Sequence, residues 1–193
     1  PGQQTESTDT TEEDTVSMKA IKAAGELILK GGKYSLDSAD DTIHSNANIT
    51  ISDGEFTLAS GDDGIHADSA TTISGGTIDI TESYEGIEGL SIDITGGETY
   101  VSGPTNDGNS ALDYNGTGTV TGGIFIAAGS SGMAENFGDS STQGVMMVTV
   151  NSQAAGSAVS LSDSSGNELV SWTPEKEYTS VIISCPEITT GQE

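Results

Sequence analysis

The sequence predicts an all-β chain wound as a parallel β-helix, a solenoid of about five 22-residue coils closed by an antiparallel C-terminal cap. Three observations predict it. First, similar residues recur at a fixed step of 22: Ile21, Ile43, Ile65 and Ile87; Tyr34, Phe56, Ile78 and Tyr100; Lys22, His44, His66 and Glu88; Asp41, Asp63, Glu85 and Asp107. A period in the twenties is the mark of stacked coils, each contacting only its neighbours. Second, each unit carries three short β-prone pieces, which in residues 64–85 fall at 65–67, 71–74 and 77–80. Third, Asp53-Gly54, Gly75-Gly76 and Gly96-Gly97 punctuate successive units at one corner, where a positive φ is needed. A β-sandwich also has short strands and frequent turns, but its hairpins do not hold identical side chains in register over four units.

Taken in order, residues 1–17 are polar, Thr-rich and acidic, with almost nothing to bury, and are expected to form a disordered linker. Residues 18–132 form the repeat array. The segment 18–30 has the apolar spacing of an amphipathic helix, yet Ile21, Lys22 and Tyr34 fall into the columns, so it is assigned to the first coil. After Gly132 the period fails. Apolar stretches at 145–150, 159–161, 169–172 and 181–184 are expected to be strands of a cap within the same domain, covering the apolar interior of the last coil. The lone Cys185 excludes an internal disulfide and suits a buried apolar position, and the lone Trp172 suits packing within the cap. The sequence stops at Gly191-Gln192-Glu193 without a finishing strand, which suggests truncation.

Composition limits the function. Five Lys and no Arg stand against 30 Asp and Glu, for a net charge of -25. Nucleic acid and anionic membrane surfaces are bound by cationic patches, so neither is an expected partner. A polyanionic ligand would need a metal ion between it and this chain. No apolar run reaches transmembrane length, and a monomer is expected.

The densest chemistry lies at the corner that closes each coil: Asp40-Asp41, Asp62-Asp63, Tyr84-Glu85 and Asn106-Asp107. Stacking brings equivalent carboxylates to about 4.8 Å, one strand spacing. A hard cation with Ca–O distances of about 2.4 Å fits between two such oxygens, and Ca²⁺ suits the site better than Mg²⁺, which demands a tighter octahedron. Gly64, Gly86 and Gly108 follow the acidic pairs and are expected to let backbone carbonyls turn toward the ion; Asp68 and Glu88 on the next strand are further candidate ligands. The competing explanation is that each Asp-Gly pair is an ordinary turn facing water. His44 and His66 share a column and lack a Ser/His/Asp arrangement. They form a polar ladder, support metal-binding carboxylates as hydrogen-bond partners, or touch carbohydrate. Tyr84 and Tyr114 can stack on sugar rings, whereas Tyr100 is expected to face inward with Phe56 and Ile78.

The runs Asp-Asp-Gly-Ile-His-Ala-Asp (62–68), Ser-Tyr-Glu-Gly-Ile-Glu-Gly (83–89) and Asn-Asp-Gly-Asn-Ser-Ala (106–111), one coil apart, resemble the clostridial cell-surface carbohydrate-binding β-helix family, which is related to family nine pectate lyases. Residues 171–178 followed by Val-Ile-Ile-Ser-Cys-Pro also resemble that family's C-terminal portion, so the resemblance covers residues 19–190. It implies a right-handed helix, Ca²⁺ held by Asp40, Asp41, Asp62, Asp63, Glu85, Glu88 and Asp107, and binding of an acidic plant polysaccharide (polygalacturonate) and also of neutral cellulose, outside the cell or at its surface. His44, His66 and Tyr84 are the candidate carbohydrate contacts. Asn106 departs from the family pattern where an acid often stands.

The related lyases need Ca²⁺ and a Lys or Arg base. This chain has neither cation between Lys33 and Lys176, and Lys19, Lys22, Lys30 and Lys33 belong to the first coil. A non-catalytic calcium-dependent binding protein is therefore expected, with a pectate lyase-like enzyme and a calcium-rigidified surface stalk or adhesin as the alternatives.

Overall fold

A computed structural model describes residues 17–189; residues 1–16, nearly all of the expected linker at 1–17, and residues 190–193 lie outside the described residues. No described residue is helical, and among them no helix could cross a membrane. The first coils comprise β1 (Ile21–Ala23), β2 (Leu27–Ser38), β3 (Ile43–Ser45), β4 (Ile49–Ser60), β5 (Asp63–Glu82) and β6 (Glu85–Ser102). The fifth coil adds β7 (Leu112–Val120) and β8 (Ile124–Gly129). All pair in parallel with the coil before: β1 with β3, β3 with β5, β5 with β6, β6 with β7 and β8. This is a β-solenoid of about five turns, as the periodicity predicts.

The core follows from the register. Ile21, Ile43, Ile65, Ile87 and Leu112 form one column; Leu29, Ile51, Ile73, Ile94 and Val120 form another on the second face. From Ile43 onward these side chains are fully buried. Each interior Ile removes enough apolar area from water to stabilise the coil by roughly 2 kcal/mol. Gly32, Gly54, Gly76, Gly97 and Gly123 stack at the expected corner with φ between 80 and 123°.

The 22-residue step does not hold to the end. On the second face Ile73 pairs Ile94, 21 residues on, because one residue is dropped beside Gly89. The next coil is longer, and Ile87 pairs Leu112, 25 residues on. Two expectations fail as a result. Ile78 pairs Thr99, so Thr99 takes the inward column and Tyr100 points outward, its ring 5.9 Å from Trp172. Asp107 also drops out of the acidic column: Ser110 supplies the carbonyl that accepts from Gly86 N, and Asp107 sits exposed in the enlarged corner, bonded to Ser130 Oγ.

The cap comprises β9 (Gln143–Gln153), β10 (Val159–Ser162), β11 (Glu168–Trp172) and β12 (Tyr178–Thr189). β12 runs antiparallel to both β8 and β9, and β10 pairs antiparallel with β11 as a separate hairpin. Ile182 joins the solenoid core, while Val181, Ile183 and the buried Cys185 form a second apolar cluster with Ile126, Val159 and Val170. The cap thus closes the last coil and covers the outer side of its third face, where Tyr100 and Trp172 pack.

Candidate functional site

The corner between the third and first faces carries two parallel columns. Pairing Ile21 with Ile43 puts Lys19 level with Asp41, so the closing corner reads Lys19, Asp41, Asp63, Glu85, Ser110. Beside it, on the strand that follows, Lys22, His44, His66, Glu88 and Asp113 are paired in order. The structure therefore brings together Asp40, Asp41, Asp62, Asp63, Glu85, Glu88, His44 and His66, and leaves Asp107 apart. It adds Lys19, one full step before Asp41, and Asp113, which the fixed period conceals. The cue for Asp113 is the pair Leu112-Asp113, an interior apolar residue followed by a polar one, as in Ile43-His44 and Ile65-His66.

The first tier carries its own cation. Lys19 Nζ lies 2.9 Å from Asp40 Oδ1 and also bonds Asp41 Oδ2, and Lys19 holds the Asp40 carboxyl below its ordinary value. Asp41 is 1% exposed; its Oδ2 accepts from His44 Nδ1 at 2.8 Å and its Oδ1 from the Asp63 backbone N–H at 3.3 Å. Lysine, imidazole and amide thus satisfy that carboxylate. Lys19 of the first coil thus stands on the lowest tier of the acidic corner.

The second tier is shared by one imidazole. His66 Nδ1 is 2.8 Å from Asp63 Oδ2 and 2.9 Å from Glu88 Oε2. The bond to Asp63 raises His66 to about 9, with Glu88 adding to it, while burial pushes the Asp63 carboxyl up. Above this tier the acids outnumber the one imidazolium that reaches them, His66 against Glu88. Glu85 is pushed up to about 7 by burial and then by Asp113, Glu88 and Asp62. Asp113 is raised by burial and Glu88, and Asp62 by burial and the acids below it. Asp62, Glu85 and Asp113 are thus carboxylates short of positive charge, which a divalent oxygen-seeking cation would supply; carboxylate oxygens of Asp40, Asp41 and Asp62 lie within 4.8 Å of one another.

The glycines after the acids are packing residues. A Cβ on Gly64 would lie 2.7 Å from Gly86 O, and one on Gly86 would lie 2.1 Å from Ala111 O. Neither has a positive φ; the neighbouring coil leaves no room for a side chain. Tyr84 is 50% exposed at the rim. It lines a cavity of about 130 Å³ with Ser83, Asn106 and Lys176, whose Nζ donates to Ser83 O at 2.6 Å and whose pKa burial lowers. A larger cleft of about 530 Å³ opens beside Asp113, lined by Tyr114, Asn115, Glu135 and Asn136.

Fold and site together define a β-solenoid that presents a carboxylate–imidazole ladder along one edge. Residues 2–64, about a third of the chain, match the model of a family described as "Carbohydrate-binding domain-containing protein". The match includes Asp40, Asp41, His44, Asp62 and Asp63. No curated protein and no solved structure matches the chain.

Proposed function

We propose that this protein is a non-catalytic, calcium-dependent carbohydrate-binding protein of the cell exterior or surface. Its ligand is plant cell-wall polysaccharide, acidic polygalacturonate (pectin) in the first place and neutral cellulose in the second. The family match at residues 2–64 supports the carbohydrate-binding part. The observation that carries the calcium part is the crowding of Asp62, Glu85, Glu88 and Asp113, where burial and like charge keep Asp62, Glu85 and Asp113 raised although His66 pairs with Glu88. A bound divalent ion supplies the positive charge that a chain of net charge -25 needs to hold a uronate carboxylate. Tyr84 and the cleft beside Asp113 border that position and offer a stacking face and polar groups to the sugar. The test is retention on a polygalacturonate affinity gel with calcium and with chelator. Retention that calcium confers and chelator removes is expected; equal mobility in both, with no retardation, refutes the reading.

One observation favours a second reading. Lys176, with its pKa lowered, lines the cavity beside Tyr84, so the cap brings back a lysine that the chain lacks between Lys33 and Lys176. A lyase would produce unsaturated uronides from polygalacturonate, absorbing in the ultraviolet, and Lys176→Ala would abolish that signal. The binding protein gives no such signal. A stalk without a glycan ligand would gain stability from calcium but stay unretained on the gel.

A further inference from the structure

The repeat places His44 of β3 directly below His66 of β5, their rings 4.8 Å apart and tilted by 52°. Each ring is held from behind by a buried carboxylate. His44 Nδ1 is 2.8 Å from Asp41 Oδ2, and His66 Nδ1 is 2.8 Å from Asp63 Oδ2. With Nδ1 directed at a carboxylate in both residues, both Nε2 atoms face outward, and an ion bound there displaces the Nε2 proton of the His66 imidazolium. They face the same atom: Asp68 Oδ1 lies 4.0 Å from His44 Nε2 and 3.5 Å from His66 Nε2. The other oxygen of Asp68 is fixed by Asn46 Nδ2 at 3.0 Å. His44 is 6% exposed, and its Nε2 has no hydrogen-bond partner among the described residues.

Two imidazole nitrogens aimed at one carboxylate oxygen, neither hydrogen-bonded to it, form an arrangement that an ion completes. Four-coordinate zinc, with bonds of ~2.1 Å, sets its ligand atoms ~3.4 Å apart. The pair at 3.5 Å already has that spacing, and the 4.0 Å pair closes with a small movement of Asp68, whose side chain is 44% exposed. The carboxylates behind the rings are the partners that metal-binding histidines characteristically have, fixing tautomer and orientation.

We propose that His44 Nε2, His66 Nε2 and Asp68 Oδ1 form a site for a borderline divalent transition ion such as Zn²⁺, with its remaining position open to water. Two imidazoles and one carboxylate select nitrogen-seeking ions over calcium. The site uses different atoms from the acidic corner and depends on neither calcium nor a glycan. Asp41 and Asp63 are positioning residues for it, and Asn46 positions Asp68.

The test is a zinc titration of tag-free protein in excess calcium, read by calorimetry against a chromophoric chelator, with Co²⁺ in place of zinc as a visible-absorption probe. One equivalent of zinc is expected, with a cobalt spectrum of low-coordinate nitrogen and oxygen ligation. Asp68→Asn, at an exposed position that preserves the fold, is expected to weaken zinc at least tenfold, as is His66→Gln, while Glu85→Gln leaves it unchanged. Absence of zinc binding in excess calcium, or binding that Asp68→Asn and His66→Gln both leave intact, overturns the assignment. Those outcomes leave calcium-dependent glycan retention standing, since that is measured on a separate gel without zinc.

Discussion

Replacing Glu85 by Gln separates the cost of the acidic corner from its use. The folded chain raises this carboxyl from 4.5 to about 7, chiefly through burial and then through Asp113, Glu88 and Asp62. The folded state therefore holds this proton more tightly than the unfolded chain, so the Glu85 contribution to stability is most favourable below pH 4.5, falls as pH rises to about 7, and stays reduced above it. Unscreened, a shift of that size costs ~3 kcal/mol; the partial exposure of Glu85 cuts this to ~1–2 kcal/mol. In chelator at pH 8, Glu85→Gln should thus raise the melting temperature by ~3–6 °C for a chain of this length. At pH 4.5 the two proteins should melt together. Calcium should reverse the order at pH 8, because an ion at one hundred times its Kd adds ~2.7 kcal/mol to the protein that binds it, and the variant has lost a ligand. The assay is calorimetric unfolding at both pH values, with calcium and with chelator. A variant that is less stable than wild type in chelator at both pH values, or calcium stabilisation equal in the two proteins, would refute the reasoning.

Other substitutions test the packing and the first tier. Gly86→Ala forces a Cβ to 2.1 Å from a backbone oxygen of the next coil and should cost at least ~3 kcal/mol; Gly25→Ala, with nothing within 4 Å, should fall within ~0.5 kcal/mol of wild type in the same urea titration. Lys19→Gln removes a partner from the buried Asp41 and should lower stability at pH 7 by ~2–4 kcal/mol, read by urea denaturation. The hydroxyls of Thr71 and Thr99 are buried without a hydrogen-bond partner, so Thr71→Val and Thr99→Val should each stabilise by ~1 kcal/mol.

The winding of the chain was legible because a solenoid repeats its chemistry in one dimension. Each coil must put an apolar residue where the last one did, so Ile21, Ile43, Ile65 and Ile87 announce the register, and the stacked glycines announce a corner. The lower acidic corner was legible for the same reason. A fixed period cannot register a coil that loses one residue on one face or gains three at a corner. Tyr100 was therefore expected inside when Thr99 is there, and Asp107 was placed in a column that passes through Ser110. The same lengthening hid Asp113. Lys19 is one full step before Asp41, so its level was legible; that its ammonium bonds both Asp40 and Asp41 depends on side-chain packing that spacing does not show. Lys176 could not be found from spacing, since its place beside Ser83 depends on how the cap folds back. Nor does a sequence show that His44 and His66 turn their free nitrogens toward one Asp68 oxygen.

The most direct measurement is a crystal grown in calcium and measured for the ion's anomalous scattering. An anomalous peak enclosed by the carboxylates of Asp62, Glu85, Glu88 and Asp113 is the predicted result. A calcium-saturated crystal with no peak on that edge, or with its only peaks on an unrelated face, would contradict the account.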